Sequence, residues 1–159
     1  MAHVEGGERL RRWARDYGRG GNWSIKVGFF KTAQYQASQG KPAMPVAMVA
    51  AWNEFGTQGR TRSTPERPFF RNAIRSRSNH KKIVQTIARN TNAKTGKMGK
   101  RGRGQVGRQM VSSIQESIKS LQTPPNSPMT IAIKGSSNPL IDTGHMRRSV
   151  SHEDETNAD

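Results

Sequence analysis

Two separated stretches of punctuation constrain this chain most. The first is Asn53-Glu54-Phe55-Gly56-Thr57, followed after a basic loop by Arg67-Pro68-Phe69-Phe70-Arg71. The second begins at Pro124-Pro125-Asn126-Ser127-Pro128 and resumes at Pro139-Leu140-Ile141-Asp142-Thr143-Gly144. Both consist of turn formers, helix caps and apolar anchors, which cut a chain into short elements and do not compose a catalytic site. Only 31% of the 159 residues are apolar and the mean hydropathy is -0.86, so one domain with a thin core is expected. A thin core implies mobile segments, or apolar surface that only an assembly covers.

Periodicity orders the elements. Leu10, Trp13, Ala14 and Tyr17 keep the three-and-four spacing of one helical face and predict a helix over 4–18, ended by Gly18, Gly20 and Gly21. Trp23, Ile25, Val27 and Phe29 alternate with Ser24, Lys26 and Gly28, the period of a half-buried strand. Residues 31–42 are polar and read as a flexible connection. Residues 45–55 predict a short helix presenting Val46, Val49, Ala50 and Phe55, with Gly56 suited to the terminating left-handed position. After a basic loop over 57–67, Pro68 can open a helical segment running to about Asn92. Its expected core contacts are Phe70, Ile74, Ile83, Val84 and Ile87, and its polar stretch 75–82 is where it would break or project into solvent. Residues 93–104 read as a mobile basic loop. Val106, Met110, Ile114, Ile118 and Leu121 define a further helix, stopped by the prolines at 124, 125 and 128. Met129, Ile131 and Ile133 alternate as a second strand. Residues 140–152 predict a short turn or helix followed by a third extended segment. The domain thus covers 1–152, and the acidic residues 153–159 are expected to be a disordered tail.

The net charge of +16 is unevenly placed. Between Phe55 and Gln115 there are 15 Lys or Arg against one acid, Glu66, whereas Glu153 to Asp159 hold four acids and no base. A field of that sign draws polyanions and predicts a nucleic-acid neighbour. There is no cysteine, which excludes disulfides and thiolate metal sites. No run of apolar residues is long enough to span a bilayer, and no signal-type stretch follows Met1, so neither a membrane partner nor export is expected.

Motifs for chemistry are missing. Gly102-Arg103-Gly104-Gln105-Val106-Gly107 has the spacing of a dinucleotide loop, but a Lys/Gly tract stands where the preceding strand should be. His3, His80, His145 and His152 have no ligand spacing, and no serine sits in a nucleophile elbow. Glu54, Glu66, Glu116 and Asp142 are the only central acids and form no close pair. No catalytic residue, metal ligand or cofactor is therefore expected. Two local readings remain open for Glu54: a surface ion pair of little worth, or a pairing with Arg67 or Arg71 that fixes the loop between them, the arginine coming from the same chain or a neighbouring one. Phe55 is read as the anchor of its helix end. Asp142 or Thr143 is expected to cap a short turn, with Leu140 and Ile141 anchoring it.

Several pieces, taken in order, resemble the small tail-completion and head–tail joining proteins of long-tailed bacteriophages. They are Val27-Gly28-Phe29, Asn53 through Thr57, Arg67 through Phe70, Pro124 through Pro128, Thr130-Ile131 with Lys134-Gly135-Ser136-Ser137, and Pro139 through Gly144 ending near Ser149-Val150. They span most of residues 25–150, and the loop between Gly56 and Arg67 is longer here than in many such proteins. The resemblance implies an α+β fold, a small mostly antiparallel sheet packed by two or three helices. It also implies a virion protein of the head–tail junction, assembled in the host cytoplasm as a ring, commonly a hexamer. Such a ring completes or terminates the tail. It touches an adjacent neck or connector protein and tail-tube or sheath proteins, and it surrounds the channel for double-stranded DNA without reading sequence. On that view Glu54, Phe55, Arg67, Phe69, Phe70, Asp142 and Thr143 position loops or form interfaces. Arg60, Arg62, Lys97, Lys100, Arg101 and Arg103 face DNA or an acidic partner. The alternative expectation is a free, sequence-nonspecific nucleic-acid-binding protein, and a nuclease is the weakest.

Overall fold

The computed structural model describes residues 23–37, 40, 42–59 and 63–156, so the helix expected over 4–18 lies outside it. Strand β1, Trp23–Phe29, follows the alternation of its apolar residues and pairs antiparallel with β4, Val150–Thr156. The register sets Trp23 opposite Thr156 and Phe29 opposite Val150. Two further short strands, β2 (Gln34–Tyr35) and β3 (Met44–Pro45), form a second antiparallel pair. The fold is α+β. Its strands make two small antiparallel sheets rather than one, and six helices stand among the described residues.

The acidic end is the first correction. Glu153, Asp154 and Glu155 are strand residues, not part of a disordered tail, because the elements facing them are basic, and 157–159 lie outside the described residues. Lys26 Nζ on β1 donates to Glu155 Oε1 at 2.6 Å. Arg103 Nε donates to both Asp154 oxygens at 2.7 and 2.8 Å, from a helix packed on the strand. Hydrogen bonding and charge from Lys26 hold the Glu155 carboxyl below its ordinary range, and the bond to Glu155 holds the Lys26 ammonium above its own. The signs give a window. The acid's contribution is present above its unfolded value and lost as pH falls through the folded one. The amine's is present below its unfolded value and lost as pH rises through the folded one. Urea titrations of the protein and its Glu155→Gln variant should therefore differ by a small constant amount between about pH 5 and about pH 10, and converge at both extremes. A difference persisting at low pH would remove the pair from the account.

Helix α1, Val46–Phe55, begins at Pro45, and Gly56 ends it at φ 70° and ψ 175°, a region open essentially to glycine alone. Helices α2 (Phe69–Arg75) and α3 (Arg77–Asn90) are the expected long segment broken at Ser76. The Ser76 hydroxyl accepts from Asn79 N at 3.4 Å, and Asn79 Nδ2 donates back to Ala73 O at 2.9 Å, so the break is a cap between two helices. Helix α4, Lys100–Ser120, is the central rod. It starts inside the stretch read as a loop over 93–104. Only 92–99 form the turn: Asn92 Oδ1 accepts from Lys94 N and Thr95 N, and an isolated bridge joins Thr91 to Met98. Helix α5, Pro128–Lys134, replaces the expected second strand. Ser127 caps it through Thr130 N, Pro128 opens it and left-handed Gly135 closes it; these end signals outweigh an alternation only a few residues long. Helix α6, His145–Arg148, follows the Thr143-Gly144 turn.

The core is thin, as the composition required. It joins Val46 and Ala50 of α1, Phe69 and Ala73 of α2, and Ile114, Ile118 and Leu121 at and after α4 to Leu140, Met146 and Val150. Phe29 meets the edge of Phe69 with ring centroids 6.3 Å apart. From the Arg67-Pro68-Phe69-Phe70 motif it is thus Phe69 that enters the core, joined by Ala73 one turn on, whereas Phe70 is half-buried and Ile74 exposed. The glycine pattern at 102–107 is helical and has a packing role. A Cβ at Gly102 would collide with Asn90 and Met98, and one at Gly107 with the His152 ring, so these glycines let α4 approach α3 and β4. Among the described residues no helix is long and apolar enough to cross a membrane.

Candidate functional site

The two stretches of punctuation, far apart in sequence, meet around two charged side chains that the helix geometry forces inward. On α1, Val46, Ala50 and Glu54 share one face at a spacing of four, so the face that buries two apolar residues also buries a carboxylate. Glu54 is 5% exposed. The neighbouring Phe55 is 67% exposed, because one position further round the helix points to solvent, so it does not anchor the helix end in the core.

The Glu54 carboxylate caps α2 from outside that helix. It accepts from Phe70 N at 2.8 Å and Arg71 N at 3.1 Å, two of the donors a helix start leaves unpaired. Phe69 N and Asn72 N find Arg67 O and Pro68 O, so the whole first turn is satisfied. Arg71 completes the unit. Its Nε donates to Glu54 Oε1 at 2.8 Å, its Nη2 to Glu54 O at 2.9 Å and to Glu66, and its guanidinium lies 5.2 Å from the Phe55 ring centroid. The open choice between Arg67 and Arg71 is thus settled within the chain: Arg71 is the partner.

Arg67 does something else. Its backbone N donates to Asn53 O at 2.7 Å, closing the loop that began at α1. Its buried side chain reaches the other motif: Nε donates to Pro124 O at 3.2 Å, and Nη2 to Pro125 O at 3.5 Å and Asn126 Oδ1 at 3.2 Å. Burial holds the guanidinium below its ordinary value. Asn126 passes the link on through Nδ2 to Asn138 O, and Asn138 Oδ1 accepts from Leu140 N and Ile141 N. Lys134 Nζ donates to the Asn138 and Pro139 carbonyls, its ammonium held low by burial. Asn126, Lys134 and Asn138 were not among the expected site residues; the sign was an Asn before Pro139, a residue type that caps its own turn.

The remaining expected residues divide. Thr143 Oγ1 accepts from His145 N at 3.3 Å ahead of left-handed Gly144, so Thr143 is the cap. Asp142 is exposed; with Thr143 it borders a cavity of about 480 Å³ between Tyr35, Met44, Val49 and Lys134. Burial, then the Asp142 charge, pushes the Tyr35 hydroxyl up. Lys97, Lys100 and Arg101 are exposed, and Lys100 and Arg101 border a shallow depression with Arg108. Arg103 is corrected: its charge is answered within the chain by Asp154, and its Nη1 by Met98 O. Arg60 and Arg62 lie outside the described residues, but the loop that carries them is closed at its base by paired bonds between Thr57 and Thr64 at 2.9 and 3.1 Å. Among the described residues no cluster of three or more His, Asp or Glu stands ready for a metal. In this arrangement the polar groups of the two motifs are taken up by backbone and by one another. Compared with family models, curated proteins and solved structures, the chain matches none of them.

Proposed function

We propose that this chain is a structural subunit of a long-tailed phage neck, forming a ring that completes or terminates the tail and joins it to the head around the DNA channel. It acts by shape and assembly, not by chemistry. The observation that supports this reading most is Arg67: it ties Asn53 of one motif to Pro124, Pro125 and Asn126 of the other, so the ordered set of motifs behaves as one architectural unit. Exposed bases at Lys97, Lys100 and Arg101 suit a conduit that tolerates any sequence, since phosphate contacts carry no base readout.

One observation favours a second reading, a free nucleic-acid-binding protein. Helix α3 has Arg77, His80, Lys81, Lys82 and Arg89 exposed and no acid along its length. Native mass spectrometry and negative-stain imaging at moderate salt, with isolated tail tubes added in parallel, separate the two. The neck reading expects rings or bound tubes. A persistent monomer that binds duplex DNA with affinity falling steeply as salt rises, and ignores tubes, overturns it.

A further inference from the structure

One stretch of the chain carries a single sign of charge on a fixed frame. Residues 77–108 hold ten Lys or Arg and no acid. Half of them, Arg89, Lys94, Lys97, Lys100 and Arg101, lie where α3 ends, the chain reverses and α4 begins, and all five are exposed. The reversal is held by its own bonds. The Thr91–Met98 bridge closes its base, Asn92 N donates to Lys97 O at 2.9 Å, and Gly96 N donates to Asn92 O at 2.8 Å. Gly96 turns the backbone at φ 67°, and Met98 is 4% exposed, so the turn is pinned from inside. Gly102 then lets α4 lie close against Asn90. Among the described residues no acid answers these five cations. Asp154, which borders the same depression as Lys100 and Arg101, is taken by Arg103.

We infer that this hairpin tip grips the sugar–phosphate backbone of a nucleic-acid duplex, without reading its sequence. Cations crowded on a fixed turn repel one another, and a row of phosphates relieves that repulsion. Because the turn is already ordered, binding need not fix its backbone. The composition of the tip selects among polyanions. Protein interfaces centre on aromatic anchors and are poor in Lys. Here three of the five cations are Lys, residues 89–101 contain no aromatic side chain, and their one large apolar side chain, Met98, is buried. The same lack disfavours a lipid surface, which takes up apolar side chains, and single strands, whose bases stack on aromatic rings. A duplex asks only for charge, since it presents one phosphate per about 1.7 Å of its axis. The inference deepens the neck reading by naming where the passing duplex is touched, and rests on it for a duplex being the polyanion at hand. Arg77, Lys81 and Lys82 provide an internal comparison: they are equally basic and exposed but stand about two turns or more back along α3.

The test titrates full-length protein into two short labelled DNA duplexes of unrelated sequence, by fluorescence anisotropy over a series of salt concentrations. Both duplexes should bind alike, and log K should fall against log salt with a slope of about −4, since each phosphate neutralised contributes about −0.9. Lys97→Ala, Lys100→Ala and Arg101→Ala together should flatten that slope by about 2.7 and weaken binding at about 0.1 M salt at least about a hundredfold. Arg77→Ala, Lys81→Ala and Lys82→Ala together remove the same charge and should change the slope by less than about 1. Melting curves check both triple variants. If the tip triple melts early, Lys97→Gln with Lys100→Gln replaces it and should flatten the slope by about 1.8. Equal losses from the two triples would mean that net charge alone binds, and overturn the inference. So would tighter binding to a single strand of the same length, displacement of the duplex by polyglutamate at equal charge, or no binding at low salt. Rings or bound tail tubes with duplex binding indifferent to the tip sink this contact and leave the neck reading standing. Tip-dependent binding by a persistent monomer that ignores tubes does the reverse.

Discussion

Glu54→Ala should lower stability by about 3 kcal/mol, a fall of roughly 10 °C in melting temperature for a domain of this size. The carboxylate answers two backbone donors at the start of α2 and the Arg71 Nε, and alanine leaves all three without it. Arg71 is about one-third exposed, so water recovers part of the loss there. Glu54→Gln keeps one acceptor oxygen and should lose about half as much. Combining Glu54→Ala with Arg71→Ala should cost less than the sum of the single changes, because each alone strands the other's groups. Thermal and urea unfolding of the four proteins measure this directly. Additive losses would mean the pair does not act as a unit.

Gly56→Ala should cost about the same, for a different reason. At φ 70° and ψ 175° the backbone is strained for any side chain, and a Cβ there would stand 2.8 Å from Thr64 O and 3.0 Å from Glu66 N. Both are backbone atoms on the far side of the loop, held by the Thr57–Thr64 pair, so neither can swing aside. Strain of about 1–3 kcal/mol and overpacking of similar size combine to roughly 3 kcal/mol. Gly135 is the control. It is also left-handed, at φ 69°, but nothing lies within 4 Å of its would-be Cβ, so Gly135→Ala should cost only about 1 kcal/mol. Equal losses at the two positions in chemical denaturation would show that close approach of the loop is not what reserves position 56 for glycine.

Legibility followed the strength of local signals. β1, α1 and most of α4 could be read because alternation or three-and-four spacing runs through them undisturbed. α5 was misread because its apolar residues alternate, and the helix is declared only by its ends, Ser127-Pro128 and Gly135. The strand at 150–156 was cut short because acids in a row look solvated when their partners cannot be seen: Lys26 stands 129 residues from Glu155 and Arg103 stands 51 from Asp154. The candidate site shows the same division. Glu54 was legible as a partner of a nearby arginine, since Arg71 follows within two short elements. Its burial beside an exposed Phe55 was not, because it depends on which face of α1 meets the core. The reach of Arg67 to Pro124 and Asn126 was equally hidden, since no periodicity joins residues that far apart.

The pairing of β1 with β4 has a temporal consequence. During synthesis strand β1 keeps its apolar alternation uncovered until β4 follows, because among the described residues β4 is its ladder partner and lies at their far end. Leu140, Met146 and Val150 of the core arrive equally late. Closing so long a loop is entropically costly and slow, so the β1–β4 ladder should complete after the local helices α1 to α4 have formed.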